Sequence, residues 1–202
     1  MTRESTHANL LDSAQAIVMR QGFTATTVDQ VIERAGVTKG AFFYHFPTKE
    51  ALAHALVTRW AERDRALLDT VMARAETLAR EPAQRVLLLV GLLAEAADAA
   101  PEEDPGCLYA SFCYEAKLLD DVVRTVILDS FGYWHEHLTP WFDAALRAQP
   151  PRIDGIDAHA LLTRLDTVLE GGLVMARIHG DSRELGAQLR QYRNYLELLF
   201  TG

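Results

Sequence analysis

Apolar residues recur along this chain at intervals of three and four, the spacing of an α-helix with one buried face. The first such face is followed by Gly22, which predicts the end of a helix. Its members are Leu10, Ala14, Ile17 and Val18. No signal of a β-hairpin occurs anywhere in the sequence, so the pattern predicts an all-α fold.

Two short helices are predicted next, each opened by a threonine cap. Thr27 starts a Thr-x-x-Gln capping box. The helix after it turns four residues inward, namely Val28, Val31, Ile32 and Ala35. Gly36 supplies the backbone freedom for a tight turn. Thr38 is placed to cap the following helix, which reaches about Tyr44.

Longer helices follow, as in a bundle. They are predicted over residues 49–80, 86–97, 107–119, 122–148, 157–179 and 182–200. An acidic loop at 101–106 and a linker at 150–155 interrupt them. Pro140 is expected to kink or split the helix in which it lies, because proline removes a hydrogen bond from a helix interior.

Composition changes this picture only after it is divided by region. The chain has 202 residues, is 49% hydrophobic and carries a formal net charge of −8, as expected of a folded protein. Taken whole, the acidic surplus argues against binding to nucleic acid. Residues 1–58, however, hold five basic and five acidic residues, and residues 34–49 hold three cations and no acid. The total therefore hides a neutral N-terminal region with a basic tip.

The sequence also argues against several classes of protein. No apolar run approaches the roughly 20 residues of a membrane span, and no signal peptide is visible. Cys107 and Cys113 would lie on different faces of one helix, which predicts no disulfide between them and a reducing, cytoplasmic setting. His135 and His137 are poorly spaced for a metal, and no catalytic or phosphate-binding motif occurs. We therefore expect no enzyme, no cofactor, no metal and no membrane partner.

The two short helices and the glycine turn between them have the order of a helix-turn-helix motif, whose second helix can enter the major groove of DNA. That helix would present residues 39–41, 43 and 44, while Phe42 and Phe46 face inward. The alternative is that three short helices merely pack a small domain. The candidate DNA-binding residues are Thr27, Thr38, Lys39, Gly40, Ala41, Phe43, Tyr44, His45 and Lys49.

Residues 22–28 (GFTATTV) and 35–52 (AGVTKGAFFYHFPTKEAL) resemble the DNA-binding domain of the tetracycline-repressor (TetR/AcrR) family. The match runs without a gap from about residue 10 to residue 56. The resemblance implies a dimeric, ligand-released repressor, with base or groove contacts from residues 39–41, 43 and 44. It implies phosphate contacts from Thr27, His45 and Lys49. Phe43 stands where the family usually has Tyr, so an apolar contact replaces a hydroxyl contact, and the small Ala41 favours indirect readout.

Residues 51–202 are expected to form a helical bundle for ligand binding and dimerisation, behind a DNA-binding domain of residues 1–50. An aromatic-rich set in this bundle would suit a small, largely apolar or aromatic effector with one or two polar anchors. Each member could instead belong to an ordinary core. The set is Cys107, Tyr109, Phe112, Phe131, Trp134, His135, Leu138, Trp141 and Met175.

The last two predicted helices carry apolar stripes at near-heptad spacing, which suits helices that pack at a shallow angle. We expect two such helices from each subunit to form a four-helix dimer interface; the alternative is that the stripes pack only within one subunit. The expected interface residues are Leu165, Val168, Gly172, Leu185, Leu189, Tyr192, Leu196 and Leu199. Gly171 and Gly172 each cost a helix about 1 kcal/mol relative to Ala, and close helix approach is the expected reason for them.

The sequence thus predicts a ligand-responsive regulator, most simply a homodimeric repressor that a small effector releases from a palindromic DNA operator. An activator would show the same sequence features. The rival hypothesis is a ligand- or partner-binding module whose DNA-binding domain has lost operator specificity. Ala41 and Phe43 are the residues that favour this hypothesis.

Overall fold

The computed structural model describes residues 3–99, 106–115 and 120–201. Within these ranges the chain forms nine α-helices and no strand, so the predicted all-α fold is confirmed. The helices are α1 (Arg3–Gln21), α2 (Val28–Ala35), α3 (Lys39–His45), α4 (Lys49–Leu78), α5 (Pro82–Asp98), α6 (Leu108–Cys113), α7 (Asp121–Ala148), α8 (Ala158–His179) and α9 (Arg183–Thr201). No helix in these ranges combines the length and the apolar composition of a membrane span.

A first compact unit comprises Met1–Arg63 and Gly106–Asp129. Its short helices begin at the predicted caps. The Thr27 hydroxyl accepts the Gln30 backbone N–H at 3.2 Å, and the Gln30 side chain accepts the Thr27 N–H at 2.8 Å. Thr38 caps α3 by a single bond, in which its hydroxyl accepts the Ala41 N–H. Buried apolar side chains join these helices into one core, among them Leu10, Ala14, Val18, Phe23, Val31, Phe42 and Phe46.

A second compact unit comprises Asp64–Pro105 and Ser130–Gly202, to which α5, α8 and α9 belong. Helix α9 packs against both α5 and α8. Gly172 of α8 permits the close approach to α9, since a Cβ there would lie 2.8 Å from Leu185 Cδ1 and 3.2 Å from Leu185 Cα. The close approach expected at this glycine therefore occurs inside one chain.

One helical prediction is narrowed and another is corrected. Of the two outcomes expected at Pro140, a kink or a split, the split does not occur, because α7 runs continuously from Asp121 to Ala148. Around the proline, Leu138, Phe142 and Ala145 are fully buried, and their packing offsets one lost hydrogen bond. The helix predicted over 107–119 ends at Cys113, with Tyr114 as its C-cap; residues 116–119 lie outside the described ranges.

Residues 106–129, which we expected to belong wholly to the C-terminal bundle, form part of the first compact unit.

Candidate nucleic-acid interface

Helix α3 is anchored on one side and displayed on the other. Phe42 and Phe46 are 0% and 2% exposed, which confirms that they face inward. Phe43 and Tyr44 are 42% and 65% exposed. Because all four lie on or beside one short helix, burial of the first pair determines which way the second pair points. Large aromatic side chains held in solvent in this way are suited to contact a partner.

All nine candidate DNA-binding residues belong to the first compact unit. Thr27 precedes α2, Thr38 precedes α3, and Lys49 begins α4. The others lie on α3, namely Lys39, Gly40, Ala41, Phe43, Tyr44 and His45. The Thr38 hydroxyl accepts a capping bond and keeps its own proton, which a phosphate oxygen can accept. The Thr27 hydroxyl accepts the Gln30 N–H and also donates to Gln30 Oε1 at 3.2 Å, so a phosphate oxygen would replace Gln30 as the acceptor of that proton. Gly40 is exposed, and a Cβ added there would meet no described atom within 4 Å, so the backbone of α3 is open to close approach.

Lys39 does not lie in an acid-free environment, although residues 34–49 contain no acid. Its ammonium is 3.2 Å from a carboxylate oxygen of Asp29, at the start of α2. Both side chains are largely exposed, so the pair is weak and phosphate can compete for the lysine. Sequence reasoning missed Asp29 as a functional residue, because the contact joins the first turns of two different helices.

Lys49 is held against the turn before α2. Its Nζ donates to the Thr24 carbonyl oxygen at 3.2 Å and lies 4.8 Å from the centre of the Phe23 ring. An ammonium group has three N–H donors, so Lys49 can bind a phosphate oxygen while it keeps the Thr24 bond. The protein thereby fixes the position of this cation before any partner arrives.

The start of α1 also reaches α3, which the sequence did not indicate. The Arg3 guanidinium lies 5.3 Å from the centre of the Tyr44 ring. The His7 ring lies 5.6 Å from that of His45 and 4.9 Å from that of Phe46. Burial lowers the pKa of His7, and electrostatic interactions with His45 and Arg59 lower it further. Arg3 therefore adds a cation beside the exposed face of α3.

The nine candidate effector-binding residues are divided between the two compact units, and their role in effector binding stays a prediction. Three lie in the first unit, where Phe112 packs against Phe23 and Tyr109 against Trp60, with Cys107 beside them in sequence. Six lie in the second unit, namely Phe131, Trp134, His135, Leu138, Trp141 and Met175. The set was drawn from spacing within helices, and spacing does not determine which helices share a core.

Within the second unit, these six residues have different surroundings. Trp134 and Leu138 are buried in the core cluster. Trp141 is half-buried, with the Arg85 guanidinium 5.1 Å from the centre of its ring. Met175 is 37% exposed. An ordinary core position therefore describes Trp134 and Leu138 better than a binding position does.

His135 belongs to a set of polar residues on α4, α7 and α8 in the second unit. Its Nε2 lies 2.8 Å from an Asp166 carboxylate oxygen, and the Asp64 carboxylate accepts the Ser130 hydroxyl at 2.8 Å. Burial raises the pKa of Asp64, against the hydrogen bond from Ser130. Burial also raises the pKa of Asp166, against the interaction with His135.

The apolar stripes of α8 and α9 are mostly buried inside one chain, which favours the alternative that they pack within one subunit; the dimer interface stays a prediction. Leu165, Leu189, Tyr192, Leu196 and Leu199 are each 8% exposed or less and belong to the core cluster. Gly172 is buried against Leu185. A side chain covered by its own chain offers almost no surface to a second one. Of the eight expected interface residues, Val168 and Leu185 remain half-buried.

One face of the same two helices is open to solvent, and Val168 and Gly172 of the expected interface line it. A groove of about 570 Å³ lies along it, and among its lining residues are Thr163, Thr167, Val168, Gly171, Met175 and Gln188. Next to the groove residues on α8, Val174 is 38% exposed and Ile178 is 68% exposed. Gly171 is exposed, and a Cβ added there would meet no described atom within 4 Å. Nothing in the described part of the chain accounts for a glycine at that position.

Two family models match the sequence. Residues 10–56 match the model described as bacterial regulatory proteins, tetR family. Residues 82–192 match the model of the tetracyclin repressor-like C-terminal domain. Together the two matches include the short helices of the first unit and most of the second unit.

Relatives and solved structures agree with these matches. The HTH-type transcriptional repressor DhaR of Mycobacterium sp. strain GP1 is 27% identical over 134 residues, which span 66% of this chain and 64% of DhaR. The HTH-type transcriptional regulator YxaF of Bacillus subtilis strain 168 is 23% identical over 188 residues, 91% of each chain. The crystal structure of regulatory protein TetR from Rhodobacter sphaeroides has a TM-score of 0.76 at 20% identity and covers 94% of this chain and 98% of its own.

Proposed function

The chain belongs to the tetR family of bacterial regulatory proteins and is a transcriptional regulator with a helix-turn-helix DNA-binding domain, and from this premise we propose its mode of action. We propose that it is a cytoplasmic repressor that binds a palindromic operator as a homodimer and is released by a small, largely apolar or aromatic effector. The observation that carries the proposal is the exposed face of α3, held in place by the buried Phe42 and Phe46.

Each half of the operator meets α3 of one subunit in its major groove. Lys39, Phe43 and Tyr44 supply base or groove contacts, and the exposed Gly40 lets the DNA approach the backbone. The caps Thr27 and Thr38, together with His45 and Lys49, bind phosphates on either side. Few cations take part, so the affinity of one subunit is low, and two subunits on one duplex supply the rest.

The homodimer forms through the open face of α8 and α9 rather than through their buried stripes. The exposed Val174, Met175 and Ile178 provide its apolar surface. Gly171 is the point at which the two copies of α8 approach most closely, since its missing side chain has no other explanation in the described part of the chain. In a symmetric dimer a residue near the axis meets its own copy, so a small residue is favoured there.

The effector binds within the second unit, where Trp141, His135 and Asp166 combine aromatic surface with polar groups. It releases the operator only if it binds the conformation that does not fit DNA more tightly than the one that does. DhaR carries the name of a transcriptional repressor, which supports our proposal of repression over activation.

The test is binding of the full chain to duplex DNA from its own promoter region, measured by fluorescence anisotropy at low salt with excess random duplex. Tyr44→Ala should weaken binding by about tenfold or more, because it removes an exposed contact of α3. Tyr114→Ala is the matched control, since Tyr114 is also an exposed tyrosine of the first unit, outside α3. Wild-type binding that random DNA abolishes would favour the rival module without operator specificity.

A further inference from the structure

The carboxylate of Glu115 is seated in the turn that precedes α2. Its Oε1 accepts the backbone N–H of Phe23 at 2.8 Å, and its Oε2 accepts the backbone N–H of Thr24 at 2.7 Å. The Thr24 hydroxyl also donates to Oε2. Glu115 and Phe23 are 92 positions apart, so this is a tertiary contact between the segment after α6 and the helix-turn-helix region.

Gly22 and Phe112 also shape the site in which the Glu115 carboxylate binds. Gly22 has a φ of 81°, and a Cβ there would lie 2.8 Å from Glu115 Oε1, so a side chain would displace the carboxylate. On the apolar side, the fully buried Phe112 packs against Phe23 with ring centres 5.4 Å apart. One short segment therefore holds the turn by a charged contact and by an aromatic contact.

Lys49 binds the same turn through different atoms. Its ammonium donates to the Thr24 carbonyl oxygen and lies over the Phe23 ring. The Glu115 carboxylate accepts the backbone N–H groups of Phe23 and Thr24. A change in the position of Thr24 would therefore move the acceptor that places the lysine. Hydrogen bonds to a carboxylate are stronger than neutral ones, and Glu115 accepts three of them from Phe23 and Thr24.

We propose that Glu115 is a positioning residue for DNA binding, which acts through the Phe23–Thr24 turn to place the Lys49 ammonium for a phosphate of the operator. The inference rests on the proposed function, because Lys49 must bind DNA for its position to matter. It also gives α6 a route to the DNA-binding helices, since Cys107, Tyr109 and Phe112 lie on the same segment as Glu115.

The test is a double-mutant cycle of Glu115→Gln and Lys49→Ala in the full chain, with duplex DNA from the promoter region. Glu115→Gln keeps the size of the side chain and should lower affinity about three- to tenfold. In the Lys49→Ala background the same change should have little further effect, because the residues act in series. Each single variant should also reduce the slope of log affinity against log salt, by about 0.9 for each phosphate that the protein no longer binds.

Two measurements separate positioning from a general loss of stability. Amide exchange at Phe23 and Thr24 should quicken about tenfold in Glu115→Gln, while exchange in the core of α3, at Phe42, stays unchanged. Glu62→Gln is the charge control, since Glu62 is an exposed carboxylate on α4 in the same unit. It should leave the slope unchanged and should not weaken binding.

Two results would overturn the inference while the proposed function stands. The first is that Glu115→Gln binds DNA with the affinity and the salt slope of the wild type. The second is that Glu115→Gln lowers the affinity for DNA by the same factor in the wild-type and the Lys49→Ala backgrounds. Failure of the wild-type chain to prefer promoter DNA over random duplex is a separate result, and it would overturn the proposed function together with the role of Glu115.

Discussion

Gly171 offers a sharp test of the dimer, because leucine at this position should affect the subunit and the assembly in opposite directions. Within one chain a Cβ at Gly171 meets no described atom within 4 Å, so the side chain has room. Replacing a mid-helix glycine with a good helix former stabilises the helix by about 1 kcal/mol. At a close helix crossing, an added side chain costs about 1–3 kcal/mol through overpacking.

A symmetric dimer contains the residue twice, so Gly171→Leu should weaken dimerisation by about 2–6 kcal/mol. Even the lower figure raises the dissociation constant about 30-fold. The matched control is Gly132→Leu, since Gly132 is also an exposed helical glycine with open space around its Cβ. That variant should gain the same helix stability and leave the dimer intact.

Sedimentation equilibrium over a wide range of protein concentrations measures both effects, together with thermal unfolding at low concentration. The expected result is a monomeric or weakly dimeric Gly171→Leu whose unfolding temperature at low concentration is not reduced. If Gly171→Leu is as dimeric as the wild type, or if Gly132→Leu dissociates to the same extent, the assignment of this face to the dimer is wrong.

Four further outcomes are expected. Asp29→Asn should raise affinity for random duplex up to about fivefold in anisotropy titrations, because it releases Lys39 and removes a carboxylate near the DNA; unchanged affinity would contradict this. Phe42→Ala should cost the fully buried core about 3–5 kcal/mol by chemical denaturation. Phe43→Ala, 42% exposed, should change stability by no more than about 0.5 kcal/mol yet weaken operator binding. Because burial raises the pKa of Asp64, its charged form destabilises the fold above the ordinary carboxyl range. Asp64→Asn should therefore unfold at a higher temperature than the wild type at pH 7, with the difference closing towards pH 4; an equal difference at both pH values would refute this.

The caps and short helices were predictable from sequence because their interactions are local. The Thr27 capping box closes over three residues, as does the Thr38 cap. Phe42 and Phe46 are four residues apart, so helical spacing alone places them on one face. The resemblance of residues 10–56 to a DNA-binding domain has the same basis, because the motif is short, continuous and rich in turn residues.

The stripes of α8 and α9 show the limit of periodicity. Spacing correctly indicated that Leu165, Leu189 and Leu196 are covered, but it does not say by which chain. The structure shows that α8, α9 and α5 cover them within one subunit. Spacing likewise did not indicate that Val174 and Ile178, near the exposed Gly171, would stay open to solvent.

Contacts between distant segments were decided by the tertiary structure alone. Asp29 changes the charge around Lys39, and Glu115 reaches Phe23 across 92 positions. Neither contact has a sequence signal, because a hydrogen bond or an ion pair depends on where two helices pack and not on the spacing within either. The sequence by itself determined the helices, their buried faces and the DNA-binding motif; tertiary packing decided which residues pair, which faces remain open and how α6 joins the helix-turn-helix region.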